Sequence, residues 1–253
     1  RATDIKTSAQ VAIKILIGSM FGDRNALRRF EREARTSASL HHPNIVSVYD
    51  FGELEGQGAY LVMEYVDGRT MRSIFEEQPI TPRHTIANWF QQILDGMKLA
   101  HDSNVIHRDL KPENILVKNQ VEVPSIKILD FGLAKIKRPE GVSSTNITGA
   151  GSVLGTIAYM SPEQITGGDV DARSDIFSLG VVLAEAITGQ TPFQGETSSD
   201  IALAVLQKSY HLIDDPLLDE VLQKTIAKKP SARYASIAEF RKALIPLLLS
   251  TPV

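Results

Sequence analysis

The chain has no cysteine among its 253 residues. That excludes a disulfide framework and any thiolate metal site, and it makes a reducing compartment, the cytoplasm, the expected setting. An excess of basic charge is also lacking: 27 Lys and Arg stand against 30 Asp and Glu, a net charge of -3. No broad nucleic-acid surface is expected from that balance, and no nucleic-acid partner. No apolar run reaches the ~18 residues that would suggest a membrane span, so no membrane contact is expected from this segment. No signal-like stretch precedes Arg1, and the absent initiator methionine suggests a piece of a longer protein that is free to carry an anchor elsewhere. What remains is ordinary globular material. Its 43% hydrophobic and 23% charged residues suit one large domain or two packed lobes.

Hydrophobic periodicity divides the chain. Val11 to Leu16 is rich in branched apolar residues and reads as a strand with Ala12 and Lys14 on one face. A lysine on such a face is most simply an edge residue reaching water. Residues 25–40 carry Leu27, Phe30, Ala34 and Leu40 on a helical stripe, with Glu33 among the charges beside it. Further strands are expected at Ile45 to Tyr49 and Tyr60 to Met63, with Gly52 to Gly58 as a turn between them. After Asp67-Gly68 the pattern turns helical, with segments expected at 85–102, 175–188, 201–208, 217–228 and 237–249. The polar stretch from Lys137 to Leu154 reads as a long mobile loop. Strands followed by helices indicate an α+β protein with a small strand-rich lobe and a larger helical one.

The densest concentration of chemistry is His107-Arg108-Asp109-Leu110-Lys111-Pro112-Glu113-Asn114, followed by an apolar run and Asp130-Phe131-Gly132. Two acids, an amide and a lysine on short turns beside apolar strands suit metal ions and a transferring phosphoryl group. Singly, each has a plainer reading: Asp109 as a turn cap, Asn114 as a partner for loop backbone, Glu33 as a surface charge. Gly149 to Gly155 superficially offers a phosphate-cradling glycine loop. It has one residue too many for that motif and no strand-to-helix setting.

Taken together, these motifs resemble the catalytic domain of the protein kinases, most closely the bacterial, eukaryotic-like serine/threonine branch. The likeness covers more than two hundred residues. It implies a kinase-like two-lobed fold, with residues 1–66 as the small lobe and 67–253 as the large lobe. The family's glycine-rich loop is expected before Arg1, so the small lobe is expected to be truncated. The resemblance implies ATP as cofactor with Mg2+, or Mn2+ in its place. Lys14 would hold phosphates and pair with Glu33, and Asp130 and Asn114 would hold metal. Asp109 would act as base, and Lys111 would neutralise the moving phosphate. Ala12, Met63 and Leu116, with the backbone of Glu64 and Val66, would receive adenine. Residues 155–163 look like the substrate-docking segment, with Thr156 marking the serine/threonine class. Glu163 would pair with Arg233, and Asp175 would anchor the catalytic loop.

The resemblance also implies control. Arg108 before Asp109 accompanies switching by activation-loop phosphorylation, with Arg108, Lys135 and Arg29 as a phosphate pocket and Thr148 as the modified residue. The implied partners are proteins with serine or threonine acceptors, together with a second copy of this chain for trans-autophosphorylation. The alternatives are a pseudokinase acting as a binding module and a small-molecule kinase of the same fold. The complete set Lys14, Glu33, Asp109, Asn114 and Asp130 weighs against the first, and the Ser161-Pro162-Glu163 segment with Arg233 weighs against the second.

Overall fold

The structure, a computed structural model, describes residues 1–17, 24–54, 58–118, 125–131, 154–209 and 213–250. Strands β1 (Ala2–Thr3) and β2 (Gln10–Ile17) open the chain. Along β2, Ile13 and Ile15 face solvent at 46% and 55% exposure, whereas Ala12, Lys14 and Leu16 are half-buried. That is the expected period-two alternation, and it turns Lys14 inward. Helix α1 (Arg24–Ala38) follows, then β3 (Val48–Leu54) and β4 (Gly58–Glu64). The four strands form one antiparallel sheet in the order β1-β2-β4-β3, with Ala12 opposite Met63 and Lys14 opposite Leu61. Phe30 and Ala34 of α1 pack with Val46, Ala59, Leu61 and Met63 into a small core of their own.

Several boundaries differ from expectation: the strand expected at Ile45 to Tyr49 is Val48–Leu54, and the helix expected at 217–228 ends at Thr225. Helix α1 stops at Ala38, and Leu40 joins the larger core instead. Gly52 lies inside β3, opposite Tyr60, rather than in a turn. A Cβ at Gly52 would sit 2.8 Å from the Tyr60 ring, so this glycine makes room for a cross-strand aromatic.

The rest is dominated by helices around a second core. Strand β5 (Arg69–Thr70) leads into α2 (Met71–Glu77), whose first turn is capped by the Thr70 hydroxyl accepting from the Ser73 N–H. Helix α3 (Arg83–Asp102) buries Trp89, Phe90, Ile93, Leu94 and Met97. Each such side chain contributes roughly 1.5–3 kcal/mol by leaving water. A short 3-10 turn, Pro112–Asn114, precedes β6 (Ile115–Lys118) and β7 (Ser125–Ile128), which with β5 form a small sheet in the order β5-β6-β7. There follow α4 (Leu154–Ile157), α5 (Pro162–Thr166), α6 (Ala172–Thr188), α7 (Ser198–Gln207), α8 (Pro216–Thr225) and α9 (Ile237–Leu249).

Helix α6 is buried continuously from Ser174 to Ala186. Asp171 caps its start, and Gly189, at φ 77°, closes it in the left-handed conformation that favours glycine. A Cβ at Gly180 would lie 2.6 Å from Thr225 Cγ2, so α6 and α8 approach through that position. The architecture is the expected α+β arrangement of an antiparallel-sheet part and a helical part. The two meet where Val46 N–H donates to Ile128 O at 2.9 Å and Ile128 N–H donates to Asn44 O at 2.8 Å. Among the described residues, no helix is long and apolar enough to cross a membrane.

Candidate active site

The site is built outward from a buried acid. Asp175 sits in the first turn of α6 with no solvent exposure. It accepts from the backbone N–H of His107 and of Arg108, each at 2.8 Å, and from His101 Nε2 at 2.8 Å. Burial alone would push its carboxyl up. The hydrogen bond and charge of His101, with the Arg108 N–H, overcome that and hold it below the usual carboxylate range. The turn so anchored is a demanding one, because Arg108 adopts φ 69°. His107 Nε2 donates to Leu129 O at 2.6 Å, which leaves Nδ1 to accept from the Asp109 N–H at 3.3 Å. Its ring also meets Phe131 edge-on, with centroids 4.7 Å apart. One histidine therefore ties the Asp109 turn to the Asp130 turn.

On that frame the polar side chains converge. Lys111 Nζ donates to Asp109 Oδ1 and to Thr156 Oγ1, both at 3.1 Å. Asn114 Nδ2 donates to Asp109 O at 2.7 Å and Asp109 Oδ2 at 3.1 Å, so its amide oxygen is left to accept or coordinate. Asn114 O in turn accepts from the Leu129 N–H at 2.9 Å, which sets the next turn beside it. Asp130 there has φ 62°, and its carboxylate is ion-paired with Lys14. The structure thus brings Lys14, Asp109, Lys111, Asn114, Asp130 and Thr156 into one neighbourhood.

The expected Lys14–Glu33 pair is not the one formed. Lys14 bonds across to Asp130, while the buried Glu33 lies 3.4 Å from Arg32. Arg32 supplies Glu33 with a neighbouring cation on its own helix. Ala12, Met63 and Val66 fall into one apolar cluster with Leu129. Leu116 lies opposite Lys127 on the β6–β7 ladder and so shares its face, and Lys127 reaches Glu64 Oε2 at 2.7 Å. The Glu64 N–H is taken by Ser47 O at 2.9 Å. Thr148 and Lys135 lie outside the described residues, as does the Gly149 to Gly155 stretch up to residue 153. Arg108 is placed by its backbone as above.

Beside Thr156 the chain is pinned by a second buried pair. Glu163 and Arg233 meet in a bidentate ion pair at 2.7 and 2.8 Å, and Arg233 also donates to Ala227 O, Arg173 O and Lys228 O. Burial pushes the Glu163 carboxyl up, but hydrogen bonds from Arg233 and Ser174 hold it below its ordinary value. Ser161, where the family more often has alanine, caps α5 in a reciprocal box with Gln164. A third cluster was not foreseen from sequence. Arg72 of α2 reaches Glu113 at 2.9 Å, Glu185 of α6 at 2.7 Å and the Tyr159 hydroxyl. Burial and the Glu185 charge push the Tyr159 phenol well above its usual value. Glu113 lies within the recognised motif, but Arg72 and Glu185 have no local pattern that marks them.

Comparison with known proteins bears on this geometry. The sequence profile described as "Protein kinase domain" matches residues 1–247. The chain is 39% identical over 260 residues to serine/threonine-protein kinase PknB of Mycobacterium tuberculosis, an alignment covering 96% of this chain and 40% of that protein. It is 42% identical over 240 residues to serine/threonine-protein kinase PrkC of Bacillus subtilis, covering 92% of this chain and 36% of PrkC. It is 38% identical over 241 residues to serine/threonine-protein kinase PknL of Mycobacterium tuberculosis, covering 93% and 58%. The chain therefore spans only part of the length of each of these relatives.

Proposed function

The chain belongs to the protein kinase domain family, and on that premise we propose that it transfers the γ-phosphate of ATP to serine and threonine hydroxyls of proteins. The observation that carries this reading is the convergence on Asp109. Lys111 and Asn114 hold its carboxylate at 3.1 Å each, and the same Lys111 touches Thr156. A carboxylate fixed by two donors, on a turn locked by Asp175, is oriented to accept the proton of an incoming hydroxyl. Lys111 is close enough to that point to offset negative charge as it develops on the phosphoryl oxygens.

The remaining roles follow from donor chemistry. Asp130 offers a carboxylate and Asn114 a free amide oxygen, two hard ligands of the kind that hold magnesium alongside phosphate oxygens. Asp130 and Asn114 would hold a divalent ion, Mg2+ or Mn2+ in its place, which would supply neutralisation of the phosphate charge. Lys14 orients phosphates, and Glu33 of α1 would replace Asp130 as its partner in the working arrangement. Ala12, Met63, Val66 and Leu116 enclose the adenine, with the Glu64 and Val66 backbone on its edge.

The two separate cores support a division into a small lobe of residues 1–66 and a large lobe of 67–253. The long stretch before Thr156 carries the control, with Thr148 as the modified residue and Arg108 and Lys135 as its phosphate partners, modified between two copies of this chain. The domain acts in the cytoplasm on protein acceptors. Transfer of labelled phosphate from ATP to casein tests the reading. Asp109→Asn should lower the rate roughly 10²–10⁴-fold with folding intact, and an Asp109→Asn protein as active as the native one would overturn it.

A further inference from the structure

Arg108 presents a problem of conformation. It precedes the proposed base directly, and its φ of 69° is one that non-glycine residues adopt only when their surroundings impose it. Its N–H is held by Asp175 Oδ1 at 2.8 Å. Its carbonyl, in the next peptide plane along the chain, accepts from Gln164 Nε2 at 2.7 Å. Gln164 belongs to α5, 56 residues along the chain. The amide oxygen of the same side chain accepts from the Ser161 N–H at 3.0 Å and from the Ser161 hydroxyl at 3.2 Å. Gln164 is therefore a two-ended bracket. Its oxygen closes the cap of α5, and its nitrogen holds the carbonyl of the residue that feeds Asp109.

We propose that Gln164 is a positioning residue for phosphoryl transfer, acting through the Arg108 carbonyl to fix the orientation of Asp109 and coupling that orientation to the docking segment. The inference rests on the reading of Asp109 as base. Asp175 alone fixes only one side of the Arg108 residue and leaves the peptide plane between Arg108 and Asp109 free to rotate. That plane carries the Arg108 carbonyl and the Asp109 N–H, so the Gln164 bond at one end and the His107 Nδ1 bond at the other define it. The docking segment is held by the same bracket, because Ser161 leads into Pro162 and Glu163, and Glu163 is clamped by Arg233. A shift of the docking helix is thereby transmitted to the base through one side chain.

The chemistry of the bracket supplies an isosteric test. Gln164→Glu keeps an oxygen for the Ser161 cap, since Ser-x-x-Glu is itself a favoured capping box. It replaces the donor facing the Arg108 carbonyl with a carboxylate oxygen that repels it. Protonation of that carboxyl restores an O–H donor. With casein as acceptor, Gln164→Glu should lower kcat about 10-fold with KM for Mg-ATP and the melting temperature unchanged. The ratio of variant to native rate should rise as pH is lowered from about 8 toward about 5, because pH then approaches the ordinary carboxyl value of about 4.3 and the protonated form donates again. Without nucleotide, amide exchange in a peptide spanning residues 105–110 should be faster in the variant than in the native protein. Gln164→Leu, which cannot donate at any pH, should lose activity without the pH-dependent recovery. Asp109→Asn is run beside them. An inactive Asp109→Asn protein together with native kcat and native exchange in Gln164→Glu would overturn the positioning role alone, whereas a fully active Asp109→Asn protein would overturn the base assignment beneath it.

Discussion

The two halves of the site are held in different ways. On the small lobe, Lys14 projects from an open-faced sheet, and its placement depends on one ion pair to Asp130 with a side chain still 29% exposed. On the large lobe, the Asp109 turn and the docking segment are fixed by charges removed from water: Asp175 with His101 and two backbone N–H groups, and Glu163 with Arg233, whose side chain has no exposure. The first half sits over a core of a few residues, while the second rests on a core spanning most helices of the chain. The contrast separates two tasks. On the proposed reading, the base and its acceptor must keep one mutual geometry, whereas the lysine would serve a ligand that enters and leaves between the halves. A single partly exposed pair costs little to exchange, and a buried multiply bonded pair costs a great deal.

Arg233→Ala should break the comparison most severely. It leaves Glu163 buried without its cation and several carbonyls without their donor, and it should destabilise the protein by about 3–5 kcal/mol, read as a large fall in the chemical-denaturation midpoint. An Arg233→Ala protein of native stability would remove the buried half from the account. Acid provides an intermediate test. Glu163 and Asp175 are both held below their ordinary values, so their unfolded forms bind protons before the folded ones do. Their stabilisation is complete above the unfolded pKa, about 4, and is lost as pH falls through the lower folded values. Denaturation midpoints should therefore decline below about pH 4, less steeply in Asp175→Asn, where one of the two groups no longer titrates. Equal slopes would mean that Asp175 is not linked to folding. The smallest effect on stability belongs to Lys14→Met, expected within about 1 kcal/mol of native because its pair is partly exposed. The same change should abolish most phosphoryl transfer, and that split between stability and activity is what distinguishes the two halves.

Much of this was legible in the sequence, for reasons specific to each element. Long helices such as α3 and α9 announce themselves by apolar periodicity, and the alternation in Val11 to Leu16 put Ala12 and Lys14 on one face, although taken alone it suggested that Lys14 reached water. Gly52 misled because glycine marks turns and also marks strands that must clear a large neighbour; only Tyr60 across the ladder distinguishes the two. The Lys14 partner was expected to be Glu33 and is Asp130; both are suitable carboxylates, and spacing along the chain does not rank them. The bracket at Gln164 had a visible half, the Ser-x-x-Gln capping pattern, whereas its bond to the Arg108 carbonyl spans 56 residues and leaves no local trace. The Arg72 cluster is similar, because its members lie on α2, the turn before β6, the docking segment and α6.

The division of labour rests on Asp109, and single-turnover transfer of labelled γ-phosphate to casein by native and Asp109→Asn proteins of matched stability tests it most directly. The account predicts a loss of roughly 10²–10⁴-fold in the chemical step with Mg-ATP binding retained. An unchanged single-turnover rate would contradict it.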